Sequence, residues 1–453
     1  MLPEVLCIQP PVYDFALYDL FFKPYGLLRI ARWFEQSGYS VKIINALDYE
    51  EPLTVSKLGT VRRKSDGTGK FHRIRAELPP GIQPIDRYFG RYGMLPEALQ
   101  SRIREARPSI VLVTSQMTYW YSGVQEVVRR VREYHPGVPV IVGGVYASLL
   151  PEHCRQVTGA DECVAGGETF GRIQSILEKY GLPDGRIENK GASEEASSIR
   201  PLLEGPVWKD AGVIRLNRGC PYRCTYCASH HLEPSFETGN YSEVFNTLLE
   251  MHDKLGIRNF AFYDDALLVN KEEVFLPLLE EILRRGLKLR FYTPNAVHMH
   301  YIDAETAHLM RKAGFQEVRL GYESADDEFH RSLDRKYLPR EVPQAIEVLK
   351  KAGFRGERLI LYVLAGLPRQ KVSEVFSTLR IVEKYRVKVS IAEYSPVPHT
   401  SLWEAAVEAS EYPIEAEPLY HNNTFFPMRW EGFTPEDLKR VKETARRIQT
   451  EGR

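Results

Sequence analysis

Arg218-Gly219-Cys220-Pro221-Tyr222-Arg223-Cys224-Thr225-Tyr226-Cys227 is the stretch on which the reading of this chain turns. Half of the six cysteines in 453 residues fall within it, with three residues and then two between them. Thiolates this crowded suit an iron–sulfur cluster, whose corners lie only a few ångströms apart. A cubane has four irons, and the run offers three thiolates with no fourth cysteine nearby. One iron is then left open. An open iron can chelate a substrate or cofactor, which a cluster that only carries electrons does not do.

Three other readings compete. A zinc site would join the cysteines to His230 or His231, but structural zinc usually takes two separated ligand pairs. An ordinary ferredoxin-type cluster wants four protein ligands. A disulfide framework needs a denser set of cysteines and an oxidising compartment. The start, Met1-Leu-Pro-Glu-Val-Leu-Cys-Ile8, lacks the basic and apolar regions of a signal peptide. A reducing cytoplasm is the expectation.

Working outward, six strand-like runs follow one another: Val213–Leu216, Asn259–Tyr263, Leu289–Tyr292, Glu317–Leu320, Leu359–Leu364 and Ser390–Ala392. Helical patterns lie between them, at Ser242–Leu255, Lys271–Arg285, Asp303–Ala313 and Ser373–Tyr385. Six strand–helix repeats over 213–400 suggest an open, partial (β/α)6 barrel. Chemistry in barrels sits at the carboxyl ends of the strands, and the cysteine loop follows the first strand directly.

Upstream, residues 1–180 alternate in the same way. Val5–Gln9, Val41–Ile44, Ile110–Ser115, Val138–Val142 and Cys163–Ala165 read as strands, and Tyr25–Gly38 and Gly123–Tyr134 as helices. This predicts a Rossmann-like parallel sheet, interrupted by a polar, turn-rich insertion at 51–95. Ligands of such sheets lie beyond the carboxyl ends of the strands, here Pro10, Ser115, Gln116, Gly143, Gly144 and Glu168. No G-x-G-x-x-G or Walker A run is present, so neither a dinucleotide nor a nucleoside triphosphate is indicated. Cys7, Cys154 and Cys163 read as small buried hydrophobes. Residues 181–212 are polar and aperiodic, a linker. Residues 401–453 form a short helical tail, whose Thr434-Pro435-Glu436-Asp437 starts a helix. The whole is an α/β chain.

Composition adds bounds. The chain is 43% hydrophobic and 26% charged, enough for a sizeable core. Lysine plus arginine equals aspartate plus glutamate at 60 each, so there is no net positive footprint for a nucleic acid. No apolar run reaches the length of a membrane-spanning helix.

The cysteine run, with an aromatic residue before its last cysteine, resembles the signature of radical S-adenosylmethionine (radical SAM) enzymes. The resemblance implies a 4Fe-4S cluster on Cys220, Cys224 and Cys227, with the amino and carboxylate groups of S-adenosylmethionine on the open iron. One electron then cleaves the sulfonium, and a 5′-deoxyadenosyl radical abstracts hydrogen. By the same resemblance, Tyr226, Asp264, Asp265, Asn295, Glu323, Ser324, Arg335, Gly366 and Tyr394 approach the cofactor. Asp264 or Asp265 would accept hydrogen bonds from its amino group, Arg335-Lys336 would pair with its carboxylate, and Gly366 would lie beside its adenine. Many family members carry glycine at the position of His399.

The run from Val142-Gly-Gly144 through Ser148 to Glu152, followed by Asp161-Glu-Cys-Val-Ala-Gly-Gly-Glu168, resembles the cobalamin-binding-type domain that precedes many radical SAM cores. It lacks the Asp-x-His-x-x-Gly run that supplies an axial histidine in some cobalamin proteins. The resemblance implies cobalamin and methylation of an unactivated carbon or phosphorus in a small molecule, with a flavodoxin or ferredoxin as electron donor. Radical rearrangement or cyclisation, and a non-catalytic iron–sulfur or zinc module, are the alternatives. Methylthio transfer to transfer RNA is disfavoured, because Cys7, Cys154 and Cys163 are scattered.

Overall fold

The computed structural model describes residues 3–166, 169–183, 210–337, 341–428 and 432–451. Most of the linker read at 181–212 lies outside them, as does Glu168. The chain divides into two compact units. The first comprises Met1–Ala211 with Glu250–Ile257, the second Gly212–Leu249 with Arg258–Arg453.

The first unit is built on five parallel strands: β1 (Glu4–Gln9), β2 (Ser40–Asn45), β3 (Ile110–Ser115), β4 (Val140–Gly144) and β5 (Glu162–Val164), in the spatial order β5-β4-β3-β1-β2. Apolar runs without alternation produce this, because a parallel strand covered on both faces must be apolar on both. Val5, Leu6, Cys7 and Ile8 are fully buried, and every residue of β3 is buried. Cys7 is thus core, and burial raises its thiol far above the ordinary range.

The insertion at 51–95 is more ordered than its polar composition suggests. Pro52–Leu58 is a helix whose first amides, Leu53 and Thr54, donate to Glu51. Val12–Asp14, Arg73–Arg75 and Gly90–Tyr92 form a small antiparallel sheet. It follows the carboxyl end of β1 and helps gather an apolar cluster of Val12, Leu47, Phe71, Tyr92 and Trp120. Aromatic residues spaced far apart in sequence give no periodic signal, which is why composition read this segment as turn alone.

The second unit holds six parallel strands: β6 (Gly212–Ile214), β7 (Asn259–Phe262), β8 (Arg290–Tyr292), β9 (Val318–Glu323), β10 (Gly356–Ala365) and β11 (Val387–Glu393). They pair as β6-β7-β8 and β9-β10-β11. The triplets are stitched by parallel bridges Phe291–Phe315 and Val297–Leu320, with Val297 N donating to Arg319 O at 2.7 Å. This is the open barrel that the six runs predict. Phe262, Phe275, Phe291 and Phe315 pack as neighbouring rings at 5.3–5.9 Å. Each buried ring contributes on the order of 2–3 kcal/mol.

The tail closes an edge. Helix Pro435–Glu451 packs along β11, and Lys442 meets Glu393 at 2.7 Å. Its start is reciprocal: Thr434 N donates to Asp437, and Asp437 N to Thr434 Oγ. No helix among the described residues is long and apolar enough to cross a membrane.

Candidate active site at the strand ends

The cysteine loop is anchored before it begins. Leu216 N (3.0 Å) and Asn217 N (2.6 Å) donate to the Asp264 carboxylate, which is 2% exposed. Burial pushes that carboxyl up to about 7, against the pull of the two amides. Arg215 and Gly219 N both reach Glu233. Gly219 sits at φ 73°, and a β-carbon there would lie 2.2 Å from Ser235 O. Only glycine fits, so Arg218-Gly219 is a steric requirement of the turn into Cys220.

The three thiols are free, Cys224 buried and Cys220 and Cys227 half-buried. Each of Cys220 and Cys224 feels the charge of the other two cysteines or of Cys227. Burial pushes Cys220 up to about 11 and Cys224 up to about 12, with the Lys336 charge opposing at both. Such thiols lose their protons when a cationic centre binds. Ser229 N approaches Cys227 Sγ at 3.5 Å, the kind of donor that tunes a metal-bound sulfur. Among the described residues no three His, Cys, Asp or Glu side chains converge as ligands of a single ion do.

A wide helical turn backs the loop. His330–Asp334 is a π-helix, closed by Arg335 N on His330 O at 2.8 Å. Thr225 N donates to Leu333 O (2.8 Å), Cys224 Sγ lies 3.7 Å from Asp334 O, and Tyr226 Oη donates to Asp334 Oδ2 (3.4 Å). His330 is 1% exposed, with Nδ1 on Asp334 at 3.0 Å and Nε2 on Ser324 O at 2.8 Å. A carbonyl can only accept, so Nε2 carries a proton, and the carboxylate favours a second on Nδ1. Burial opposes that charge, but Asp334 prevails and raises the imidazole.

Lys336 is a half-buried cation on this face. Its ammonium lies 3.8 Å from Glu323 and 5.7 Å from the centre of the Tyr226 ring. The Glu323, Cys224 and Asp334 charges hold it protonated against the cost of burial. Arg335, which the sequence reading placed at the cofactor, is exposed, with Nε on Arg331 O. The remaining residues fall as follows. Glu323 ends β9 in left-handed backbone (φ 58°) at a bulge, and burial raises its carboxyl. Ser324 Oγ accepts from Asp326 N, within the turn. Asn295 Nδ2 reaches Tyr263 O and Asp264 O. Asp265 is half-buried, and burial raises it too. Gly366 faces the Phe426 ring, 3.3 Å from where a β-carbon would stand. His399 adopts φ 64°, the conformation that glycine reaches freely, and stacks on His231 at 4.4 Å.

Among the described residues, four buried polar atoms at these strand ends and in the cysteine loop have no hydrogen-bond partner: Asn217 Oδ1, Thr225 Oγ1, His298 Nδ1 and Tyr394 Oη. Buried polar groups in native proteins are rarely left so, and a ligand is one remedy. Orphans on the strand ends and in the loop that carries three free thiols fit a site completed by a cluster and an organic cofactor.

In the first unit, β4 ends in Gly144 at φ 97°, where a β-carbon would lie 2.1 Å from Ser115 O. Ser115 Oγ donates to Gly143 O (2.7 Å) and accepts from Ala147 N (3.2 Å). Ser148 Oγ donates to Gly144 O and accepts from Gly166 N. These bonds hold an exposed backbone ledge at Gly144. Gln116 is half-buried, Pro10 is buried, and the neighbouring Gln9 Oε1 is buried without a partner. A bare ledge and an orphaned amide oxygen at the strand ends suit a large, amide-bearing ligand such as a corrin. Sequence reasoning missed Gln9 and His298, since lone polar residues beside strand ends carry no pattern.

Residues 214–382 match the model of the Radical SAM superfamily, and residues 89–172 match that of the B12 binding domain. An uncharacterized methyltransferase of Pyrococcus horikoshii is 23% identical over 365 residues, 74% of each chain. The anaerobic magnesium-protoporphyrin IX monomethyl ester cyclase of Rubrivivax gelatinosus is 21% identical over 341 residues, 68% of this chain and 60% of that one. Among solved structures, the radical S-adenosylmethionine methyltransferase TsrM of Kitasatospora setae, with cobalamin and a [4Fe-4S] cluster bound, superposes with a TM-score of 0.69. It is 15% identical, and the match covers 99% of this chain and 91% of that one, a likeness of fold.

Proposed function

From a chain that carries a B12 binding domain ahead of a radical SAM domain, we propose a cobalamin-dependent radical SAM methyltransferase acting on an unactivated carbon or phosphorus of a small molecule. The observation that carries this is the loop of three free thiols whose charges couple to the half-buried cation Lys336. The cluster and S-adenosylmethionine supply radical chemistry, and cobalamin supplies a methyl carrier.

The chain's own residues bind, orient and exclude water. Cys220, Cys224 and Cys227 hold the cluster. Lys336 meets the carboxylate at the methionine end, in the role that the sequence reading shared between Arg335 and Lys336. Tyr226, Asp265, Asn295, Glu323, Ser324, Gly366 and Tyr394 surround the cofactor. Asp264 acts through the backbone by fixing Leu216 and Asn217. The first unit holds the corrin on Gly143, Gly144, Ser115, Gln116, Pro10 and Glu168. A flavodoxin or ferredoxin supplies the electron, in a reducing cytoplasm. Domain limits at 1–180, 213–400 and 401–453 go with this reading.

Anaerobic reconstitution tests it. About four iron and four sulfide per chain are expected. So are 5′-deoxyadenosine on reduction and a product heavier by one methylene. Cys224→Ser abolishes cluster and deoxyadenosine together. An intact cluster that yields no deoxyadenosine overturns the proposal. The likeness to a cyclase supports a second reading, radical cyclisation, whose product would gain no carbon.

A further inference from the structure

His298 stands one residue beyond the Val297–Leu320 bridge, at the carboxyl side of β8, and is 6% exposed. Its ring meets that of Tyr222, inside the cysteine loop, edge-on at 4.6 Å. Tyr222 is fixed in turn by a 2.9 Å hydroxyl–hydroxyl bond to Tyr301, and Lys271 Nζ donates to Tyr301 O at 2.8 Å. The imidazole is therefore held against the cysteine loop. Its Nδ1 is buried and has no hydrogen-bond partner among the described residues.

Charge decides which protonation state serves. Burial, and then the Lys336 charge, depress His298 to about 3. A neutral imidazole offers one nitrogen as an acceptor. The other acceptors here are committed or held towards their neutral form: Glu323 faces Lys336, and burial raises both its carboxyl and that of Asp265. Asp264, one of the two carboxylates expected to receive the cofactor's amino hydrogens, is engaged by the amides of Leu216 and Asn217. Lys336 brings only donors. An amino group bound to iron is itself a neutral N–H donor, one carbon away from the carboxylate that Lys336 meets.

We propose that His298 Nδ1 accepts a hydrogen bond from the amino group of S-adenosylmethionine, so that His298 and Lys336 grip the two polar groups of its methionine end. The inference deepens the proposed function and rests on the cluster reading. Held so, the amino acid end of the cofactor would keep a single orientation in the site.

The test uses the full reconstituted chain, with iron content measured for each variant, and two probes: S-adenosylmethionine and its analogue lacking the α-amino group. His298→Phe keeps the ring contact with Tyr222 and removes the acceptor. It is expected to weaken S-adenosylmethionine binding about tenfold, as one net hydrogen bond does. The deamino analogue, with nothing to donate, should bind wild type and variant alike. His298→Asn, whose amide oxygen restores an acceptor, should recover most of the affinity. Unchanged S-adenosylmethionine binding by His298→Phe at full iron content overturns the inference, as does equal weakening of both probes. A wild-type chain that assembles no cluster, or that binds no S-adenosylmethionine, removes the parent reading and this one with it.

Discussion

Two buried carboxylates, one in each unit, behave in opposite ways. Glu126 is 6% exposed and receives Arg91 Nε (2.7 Å) and Nη2 (3.1 Å), Arg130 Nε (3.0 Å) and the Tyr13 hydroxyl (3.0 Å). Burial works to raise it, but the two guanidiniums win and hold it below the usual carboxylate range. Asp264, equally buried, receives two backbone amides and no cation at contact, and is pushed up to about 7. Where charge is matched by charge, a carboxylate serves as scaffold. Where only dipoles match it, the folded chain prefers it protonated, and such a group stands at a site rather than in a frame.

The largest way to break this contrast is Arg91→Met, which leaves Glu126 buried with half its cations. Calorimetry should show a loss of about 3–5 kcal/mol from the first unit. The Glu126 stabilisation is fully present above the ordinary carboxylate range and is lost as pH falls through its lowered folded value. Asp264 reverses the sign. Its folded value is raised, so its contribution is complete below about 4 and drains away as pH climbs towards 7. Asp264→Asn keeps an acceptor for Leu216 and Asn217 and abolishes that drain. The variant should gain on the order of 2–4 kcal/mol relative to wild type between pH 4 and pH 8 in denaturant melts, and a pH-independent difference would refute the assignment.

Lys336→Met comes next. Losing a charge-assisted contact should weaken S-adenosylmethionine binding by roughly thirty- to a hundredfold. Stability should fall as well, since the neighbouring carboxylates raise Lys336 and its charge therefore favours the folded chain at neutral pH. The smallest effects separate the two kinds of buried hydroxyl. Tyr13→Phe removes a bond to Glu126 and should cost about 1 kcal/mol. Tyr394→Phe removes an oxygen that has no hydrogen-bond partner among the described residues and should cost nothing in the free chain. A stability loss from Tyr394→Phe would show that its hydroxyl is structural after all.

How much of this was legible in the sequence follows from the range of each interaction. Strands such as Ile110–Ser115 announce themselves, because six consecutive residues meet the same apolar surroundings. The cysteine loop is equally plain, its ligands being neighbours in the chain. The cationic partner is harder. Arg335 and Lys336 are adjacent and chemically alike, and only the left-handed turn at Arg335 (φ 53°) sends one outward and the other inward. His298 gave no signal, since its meaning comes from Tyr222, Tyr301 and Lys336, none beside it in sequence except Tyr301. At His399, the departure from glycine marked an unusual turn, and the backbone there is left-handed.

The wide turn at His330–Asp334 has one more consequence. It is in effect a single extra residue housed within a helix, and the Asp334 contacts to Cys224 and Tyr226 follow it immediately. Removing one residue would tighten it to the ordinary pitch at almost the same heading, because five residues of a wide turn and four of an ordinary helix sweep nearly the same angle. A deletion here would be felt through the Asp334 contacts to Cys224 and Tyr226 rather than through the direction of the chain beyond them.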